Sequence, residues 1–168
     1  MHAGATRNVS DVDMEHTNLR RGFSLIELLI VIAIILVIAA IAVPNAQKQL
    51  MASRETAAIG HIKTIQQAQV QFYTQFGHYA ASLAELGPPA SGVAGPASAD
   101  LIPRSLAEGK KSGYLFSIQY TADGYSISAL PEIFGSSGRR TFYSDQTLVI
   151  RESWSAERAN AASPAIGP

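Results

Sequence analysis

An apolar run near the N-terminus constrains this chain more than any other feature of its sequence. From Phe23 to Val43 there are 21 residues, and only Ser24 and Glu27 are polar. As an α-helix rising about 1.5 Å per residue, the run matches the roughly 30 Å hydrocarbon core of a bilayer. A buried soluble helix is the alternative, but a domain of this size rarely surrounds so long an apolar cylinder. The run therefore predicts a membrane span.

The flanks of the run distinguish it from a secretory signal peptide. A signal peptide has an apolar region of about 7 to 15 residues, followed by small residues at its cleavage site. Here the run is longer, and Pro44 directly follows it. At the other flank a basic pair, Arg20 and Arg21, precedes Gly22. Because positive charges tend to stay cytoplasmic, we expect a single-pass membrane protein with its C-terminal part outside the cytoplasm.

The segment Arg20-Arg21-Gly22-Phe23-Ser24-Leu25-Ile26-Glu27 resembles the processing site of type IV prepilins and of the related pseudopilins of type II secretion. The resemblance implies that a prepilin peptidase cuts after Gly22 and methylates the new amino terminus at Phe23. It further implies that the subunits leave the inner membrane and form a homopolymer, an extracellular pilus. The implied partners are an assembly ATPase, an inner-membrane platform protein and, in a two-membrane cell, a secretin.

Glu27 is the only acid in the span, and an ionised carboxylate inside a membrane is costly. The span contains no lysine or arginine to pair with it. Cleavage would free a positively charged amine at Phe23, one helical turn away or on a neighbouring copy. Opposite charges about 4 Å apart attract by about 4 kcal/mol at an effective dielectric of about 20, which could offset the desolvation. We expect Glu27 to pair with Phe23 of an adjacent subunit; solvation of Glu27 at headgroup depth is the alternative.

Pro44 predicts a helix break, because proline removes a backbone hydrogen bond and clashes with the preceding turn. The alternative is that it only marks the exit from the membrane. Residues 45–77 predict the amphipathic half of the same helix, ending at Gly77. The apolar stripe consists of Leu50, Ala57, Ala58, Ile62, Ile65, Ala68, Phe72 and Phe76. The charged side chains, Glu55 included, are expected mostly elsewhere on the helix.

The whole chain is predicted as an α+β fold, with the long N-terminal helix packed on a four-stranded antiparallel sheet, as the resemblance to pilins also implies. Residues 1–22 are the leader, with Met14 as an alternative start, and 23–44 form the transmembrane and filament-core helix. Residues 78–113 are a variable loop region with short helices, one opened by Ser82 and Glu85 in capping-box spacing. Residues 114–152 form the sheet and 153–168 a flexible tail.

The strands follow from alternation of apolar and polar residues. The predicted strands are Tyr114–Tyr120, Tyr125–Ala129, Thr141–Ser144 and Thr147–Arg151. Asp123 and Gly124 predict the turn of the first hairpin. The aromatic residues of the helix end and of the strands are expected mostly in the core.

Composition argues against several other functions. With 13 basic and 13 acidic side chains, the chain has no overall charge that would attract nucleic acid. The four histidines show no metal-ligand spacing, and serine, histidine and aspartate fall in no nucleophile setting, so we predict no cofactor, no metal site and no enzyme. Two basic pairs, Lys110-Lys111 and Arg139-Arg140, on predicted loops leave weak DNA binding open.

The absence of cysteine also matters, because it excludes a disulfide. Many proteins of the resembled family close their C-terminal region with one, so packing and hydrogen bonds must hold that region here. The sequence thus favours a structural subunit of a type IV pilus, serving twitching motility, adhesion or DNA uptake. A type II secretion pseudopilin and a membrane-anchored binding protein that keeps its leader are the alternatives.

Overall fold

The computed structural model describes residues 22–121 and 124–167. The chain divides into two compact units, Met1–Ala40 and Ile41–Pro168, which we describe separately. One helix, α1 (Leu25–Phe76), contributes residues to both. The predicted leader residues 1–21 lie outside the described residues, and so does the turn residue Asp123.

In the first unit, α1 leaves its apolar side chains uncovered. The helix begins at Leu25, two residues after the predicted start. Every large apolar side chain from Leu25 to Ile38 is at least 45% exposed. A helix of this length and hydropathy is able to cross a membrane, as the sequence predicted. Because so large an apolar surface is unfavourable in water, lipid or protein must cover it.

The second unit is built on the later part of α1, whose buried stripe faces the sheet. The buried apolar residues of the stripe are Ala58, Ile62, Ile65, Ala68 and Phe72, all of them predicted. At its N-terminal end the prediction was wrong, because Leu50 is 51% exposed and Met51 is buried instead. The helix ends at Phe76, as predicted. Gly77 has φ 77°, and its amide donates to the Tyr73 carbonyl at 2.8 Å.

Five strands form one antiparallel sheet in chain order. They are β1 (Lys110–Lys111), β2 (Tyr114–Thr121), β3 (Gly124–Pro131), β4 (Thr141–Asp145) and β5 (Ile150–Ser153). The α+β class is confirmed, but the prediction of four strands was wrong. Lys110 and Lys111 pair with Leu115 and Tyr114 to form the edge strand β1 instead of lying in a loop. A strand of two lysines has no apolar alternation that would reveal it.

The last strand starts three residues later than predicted, at Ile150 instead of Thr147. The cause is Leu148, whose φ of 63° places it in the left-handed region, outside any β-strand. Asp145 organises this turn. Its carbonyl accepts the Leu148 amide at 3.0 Å, and its carboxylate accepts the Thr147 amide at 2.9 Å.

Substituting Leu148 with asparagine is expected to stabilise the second unit, because asparagine tolerates the left-handed conformation that costs other residues about 1–2 kcal/mol. Leu148 is 49% exposed, so the loss of its partial burial offsets only part of this gain. We expect the free energy of unfolding in urea to rise by about 0.5–1 kcal/mol. Val149→Asn is the control, since Val149 has an ordinary negative φ and is 38% exposed. A loss of stability with Leu148→Asn would contradict the claim that the backbone of Leu148 is strained.

Residues 153–167, predicted as a flexible tail, are hydrogen-bonded to the sheet. The Ile166 amide donates to the Ile150 carbonyl at 2.9 Å. The Thr141 hydroxyl donates to the Glu157 carbonyl at 2.8 Å and accepts the Ala159 amide at 3.0 Å. The sequence did not predict that this segment is ordered, because the segment contributes mostly backbone groups to these hydrogen bonds, and its small polar side chains give no sign of them.

Two short helices lie between α1 and the sheet, as predicted: α2 (Leu83–Leu86) and α3 (Arg104–Ala107). The Ser82 hydroxyl accepts the Glu85 amide at 3.3 Å, so Ser82 is the predicted N-cap of α2. The Glu85 carboxylate accepts the amide of Ala81 at 2.8 Å, one residue before the cap. The predicted pairing of Ser82 and Glu85 at the start of α2 is confirmed, except that the Glu85 carboxylate binds the amide of Ala81 instead of the amide of Ser82.

Candidate functional site

The residues predicted for processing lie at the start of α1. Gly22, Phe23 and Ser24 precede the helix, and Glu27 lies in its first turn. These four residues line one open concavity. The Leu28 amide donates to the Ser24 carbonyl at 3.2 Å, so the helical hydrogen bonds begin directly after Phe23. Gly22 is exposed and Phe23 is 83% exposed, so the peptide bond between them lies in exposed chain that precedes the helix.

Glu27 is exposed at the end of α1 where the helix dipole favours a negative charge. Among the described residues it takes part in no salt bridge. Glu27 lines the same concavity as Phe23, the residue whose amine the predicted cleavage would free. The basic pair Arg20 and Arg21 lies outside the described residues.

Pro44 belongs to the second unit and lies within the bounds of α1. The helical assignment of α1 includes position 44, so no turn is unwound there. A bend at Pro44 stays a prediction.

The span also presents a continuous apolar face. A shallow cleft on α1 is lined only by apolar side chains, at spacings of one helical turn. Its residues are Leu29, Ile30, Ala33, Ile34, Val37 and Ile38. Such a face suits packing against lipid or against another apolar helix.

A buried ionic cluster in the second unit was missed by sequence reasoning. Glu55, predicted mostly on the solvent side, is only 5% exposed. Its Oε2 accepts from Arg140 Nε at 2.8 Å, and its Oε1 accepts the Arg139 amide at 2.6 Å. Arg140 Nη1 also donates to Glu152 Oε2 at 2.8 Å. The cluster therefore joins α1 to β5 and to the chain leading into β4.

Aromatic rings and further hydrogen bonds complete the surroundings of Arg140. Its guanidinium lies 5.3 Å from the ring centre of Phe142 and 5.1 Å from that of Trp154, within cation–π range. The Tyr114 hydroxyl donates to the Arg140 carbonyl at 2.9 Å. Burial opposes the charge, but hydrogen bonds to Glu152 and Glu55 hold the pKa of Arg140 above its ordinary value. Arg140 therefore keeps its positive charge in the cluster.

The histidines that the structure describes have structural neighbours. His61 Nε2 lies 3.2 Å from the Ser112 hydroxyl, and its ring meets Phe116 edge-on at 5.7 Å. His78 Nδ1 lies 3.1 Å from the Tyr79 carbonyl. Within residues 22–121 and 124–167, no group of three or more histidine, aspartate or glutamate side chains is arranged to hold a metal ion.

His61 predicts a pH dependence of stability. Burial, together with the charge of Lys111, lowers the pKa of His61 below 6.5. The folded state then binds the proton less readily than the unfolded chain, so stability is present above the unfolded pKa of about 6.5 and falls as the pH drops below it. His61→Gln should remove this part of the pH slope. The measurement is the free energy of unfolding of wild type and variant from about pH 7.5 to about pH 5. A difference between the two proteins that stays constant over this range would contradict the prediction.

The two basic pairs form contacts within the protein. Lys110 makes a 2.7 Å salt bridge to Glu132, and Lys111 donates to the Ser105 hydroxyl at 2.9 Å. Arg140 belongs to the buried cluster. Three of the four basic side chains are therefore engaged within the protein, which leaves less of their charge for the weak DNA binding or surface adhesion that the sequence left open.

Comparison with known proteins supports the interpretation of the N-terminus. Residues 17–43 match the family model "Prokaryotic N-terminal methylation motif", which includes the predicted processing and assembly residues and the whole apolar run. Over 67 residues the chain is 42% identical to "Type IV major pilin protein PilA" of Myxococcus xanthus (strain DK1622). This match covers 40% of the present chain and 30% of the Myxococcus protein.

Proposed function

We propose, from the premise that this chain is type IV pilin-like, that it is a structural subunit of a type IV pilus and not an enzyme. The observation that carries the proposal is a match to a methylation motif over residues 17–43, together with a helix from Leu25 whose apolar window contains no buried residue. Lipid can cover that window before assembly. In a filament, copies of the same helix would cover it, and burial of apolar surface would drive cohesion.

The first step proposed is cleavage after Gly22 by a prepilin peptidase, followed by methylation of Phe23. The exposed, non-helical chain at this bond supports it. No atom of the described chain lies within 4 Å of where a Cβ would stand on Gly22. The described fold therefore tolerates other residues here, and a requirement for glycine would come from the peptidase.

The second step proposed is polymerisation through α1. Glu27 would pair with the amine of Phe23 on an adjacent subunit, and the apolar face of the span would pack against its copies. The proposed partners are therefore other copies of the chain, an assembly ATPase, an inner-membrane platform and, in a two-membrane cell, a secretin. The precursor would be a single-pass membrane protein with its C-terminal part outside the cytoplasm, and the product an extracellular pilus.

Mass spectrometry of the mature protein tests the first step. In cells that contain the peptidase, we expect loss of residues 1–22 and one added methyl group on Phe23. Gly22→Val should accumulate as the uncut precursor, whereas Ser24→Ala should be processed normally. An intact leader on the wild-type protein in such cells would overturn the proposal.

Electron microscopy of the cell surface tests the filament itself. We expect long surface fibres that contain the chain and that disappear when it is deleted. Loss of protein export on deletion, without surface fibres, would instead identify a secretion pseudopilin.

A further inference from the structure

The antiparallel sheet has two edges, and the chain protects most of both. At the β5 edge, the segment that follows the sheet covers the strand. The Glu152 amide donates to the Pro164 carbonyl at 2.9 Å. The Ile166 amide donates to the Ile150 carbonyl, also at 2.9 Å. The other edge begins with β1, which consists of two lysines, and a short, charged edge strand hinders pairing with another chain.

The second half of β2 is an edge without such protection. β1 pairs only with the first two residues of β2, and beyond them the Phe116 amide donates to the Gly109 carbonyl at 2.7 Å. Alternate residues of a strand direct their backbone groups to the same side, so those of Ile118 and Tyr120 point away from β3, as those of Phe116 do. In the part of the chain that the structure describes, no backbone hydrogen bond reaches Ile118 or Tyr120 from that side. We call residues 117–121 the open edge.

The residues of the open edge favour pairing instead of preventing it. The sequence Ser117-Ile118-Gln119-Tyr120-Thr121 has no charge and no proline, and its pairing with β3 runs without a bulge. Isoleucine, tyrosine and threonine are enriched in strands. Tyr120 is 57% exposed, and Ser117, Gln119 and Thr121 are exposed as well. An exposed, uncharged edge of this kind is a template on which an extended strand adds to the sheet.

The open edge is complementary to itself. When two copies pair antiparallel about Gln119, Ile118 of each copy faces Tyr120 of the other, and Ser117 faces Thr121. Because the backbone groups of Ile118 and Tyr120 point outward, each such pair would exchange N–H···O=C hydrogen bonds in both directions. An aromatic side chain opposite a β-branched one is a favourable cross-strand pair, and so is serine opposite threonine. Since the edge is uncharged, no like charges face each other.

The partly buried side chain of Ile118 supports the same register. Ile118 packs against the hydrophobic core without being fully covered. Tyr120 lies on the same face of β2, so in the register about Gln119 the exposed ring of each copy would cover Ile118 of the other. A register centred on Ile118 would instead place Tyr120 opposite Phe116, whose amide is already bonded to Gly109. The register about Gln119 therefore uses backbone groups that the described chain leaves unbonded.

We propose that the open edge pairs with the open edge of a second copy of the chain, which joins the two sheets into one continuous sheet. Such a contact is two-fold and closes on itself, so it cannot extend a filament as the packing of α1 would. Between filaments of the proposed kind, it joins subunits of neighbouring fibres side by side. This consequence rests on the proposed function, whereas the pairing requires only the folded second unit. An extended segment of a different protein is the competing occupant.

Single cysteines report on the pairing directly, because the chain contains none of its own. Gln119→Cys places two cysteines opposite each other at a non-hydrogen-bonded position, where the Cα atoms of paired strands lie about 4.5 Å apart, within the range of disulfides. We expect the full chain in detergent micelles, after mild oxidation, to run mainly as a covalent dimer. Val93→Cys is the matched control, because Val93 is 93% exposed and lies outside the open edge, and it should stay mainly monomeric. Equal cross-linking of the two variants would overturn the inference.

Ser117→Cys and Thr121→Cys test the register. In the proposed pairing, like residues lie four positions apart along the strand, about 14 Å, so each variant alone should cross-link poorly. A mixture in which one variant carries a size tag should form covalent dimers between unlike copies. If either variant alone cross-links as strongly as the mixture, the proposed pairing is wrong.

Charges at position 119 test the contact without disturbing the core, because Gln119 is exposed. Adding Gln119→Lys to both copies of the mixture should lower cross-linking several-fold, since two lysines would then face each other. Gln119→Lys in one copy and Gln119→Glu in the other should restore it. Unchanged cross-linking with lysine in both copies would contradict the inference.

Electron microscopy of surface fibres separates failure of the inference from failure of the proposed function. We expect wild-type fibres to lie side by side and Gln119→Lys fibres to lie singly. Single wild-type fibres without a Gln119→Cys dimer would overturn the inference and leave the proposed function standing. Dimers in micelles without any fibres on cells would support the pairing while the proposed function fails. A covalent link from Gln119→Cys to a different protein in cells would show that another chain occupies the open edge, and would overturn the inference.

Discussion

Arg140→Met is expected to destabilise the second unit by about 3–5 kcal/mol, because removing one partner of a buried ion pair leaves the other charge uncompensated. Glu55 is only 5% exposed, and its carboxylate would retain only the Arg139 amide as a donor. Methionine keeps most of the apolar stem of arginine, so the loss reports on the charge. The measurement is urea unfolding of the full chain in detergent micelles, followed by near-ultraviolet circular dichroism of the buried tyrosines.

Arg139→Met is the matched control for this result. Arg139 contributes its backbone amide to Glu55, and methionine retains that amide. Since its side chain is exposed, we expect a change within about 0.5 kcal/mol. Adding Glu55→Leu to Arg140→Met should recover part of the lost stability, because it removes the uncompensated charge. Equal effects of Arg139→Met and Arg140→Met would show that the buried cluster contributes little.

Glu27→Gln is expected to abolish surface filaments while leaving cleavage and methylation intact. Glutamine keeps the shape of the side chain but removes the charge that would pair with the Phe23 amine of another subunit. At about 4 Å and an effective dielectric of about 20, that attraction is about 4 kcal/mol. Glutamine also removes the desolvation cost of the carboxylate, so the main effect is that the Phe23 amine of the other subunit is left without a partner charge in an apolar environment. The measurements are the mass of the processed subunit and the amount of the chain in sheared surface fibres.

Ser24→Ala is the control, because Ser24 is the other polar residue of the apolar run. It should assemble normally. Normal filament yield with Glu27→Gln would show instead that Glu27 is only solvated at headgroup depth. Failure of cleavage in this variant would place Glu27 in recognition by the peptidase.

The buried cluster explains how a chain without cysteine holds its C-terminal region. Arg140 binds Glu55 of α1 and Glu152 of β5 at 2.8 Å each. These two contacts join residues that are 85 and 12 positions apart in the sequence. A disulfide would restrain the same region covalently, whereas this cluster depends on hydrogen-bond geometry and on exclusion of water.

Local periodicity explains why part of the fold was predictable. The apolar residues of the stripe from Ala58 to Phe72 recur every three or four positions, and this spacing places them all on one face of a helix. Gly77 ends the helix because glycine tolerates a positive φ, which is a property of the residue alone. The burial of Glu55 has no such local sign. A glutamate on a helix is normally solvated, and only Arg140, far away in the chain, makes its burial favourable.

The sequence by itself determined the apolar span, the methylation motif that contains Gly22 and Phe23, the position of Glu27 and the amphipathic face of the helix, because each follows from residues close together in the chain. Only the tertiary structure decided that Glu55 is buried, that Lys110 and Lys111 form a strand, that Leu148 interrupts the last strand and that residues 153–167 are bound to the sheet. The physical reason is that these features depend on hydrogen bonds and charges between distant segments, which no local pattern records.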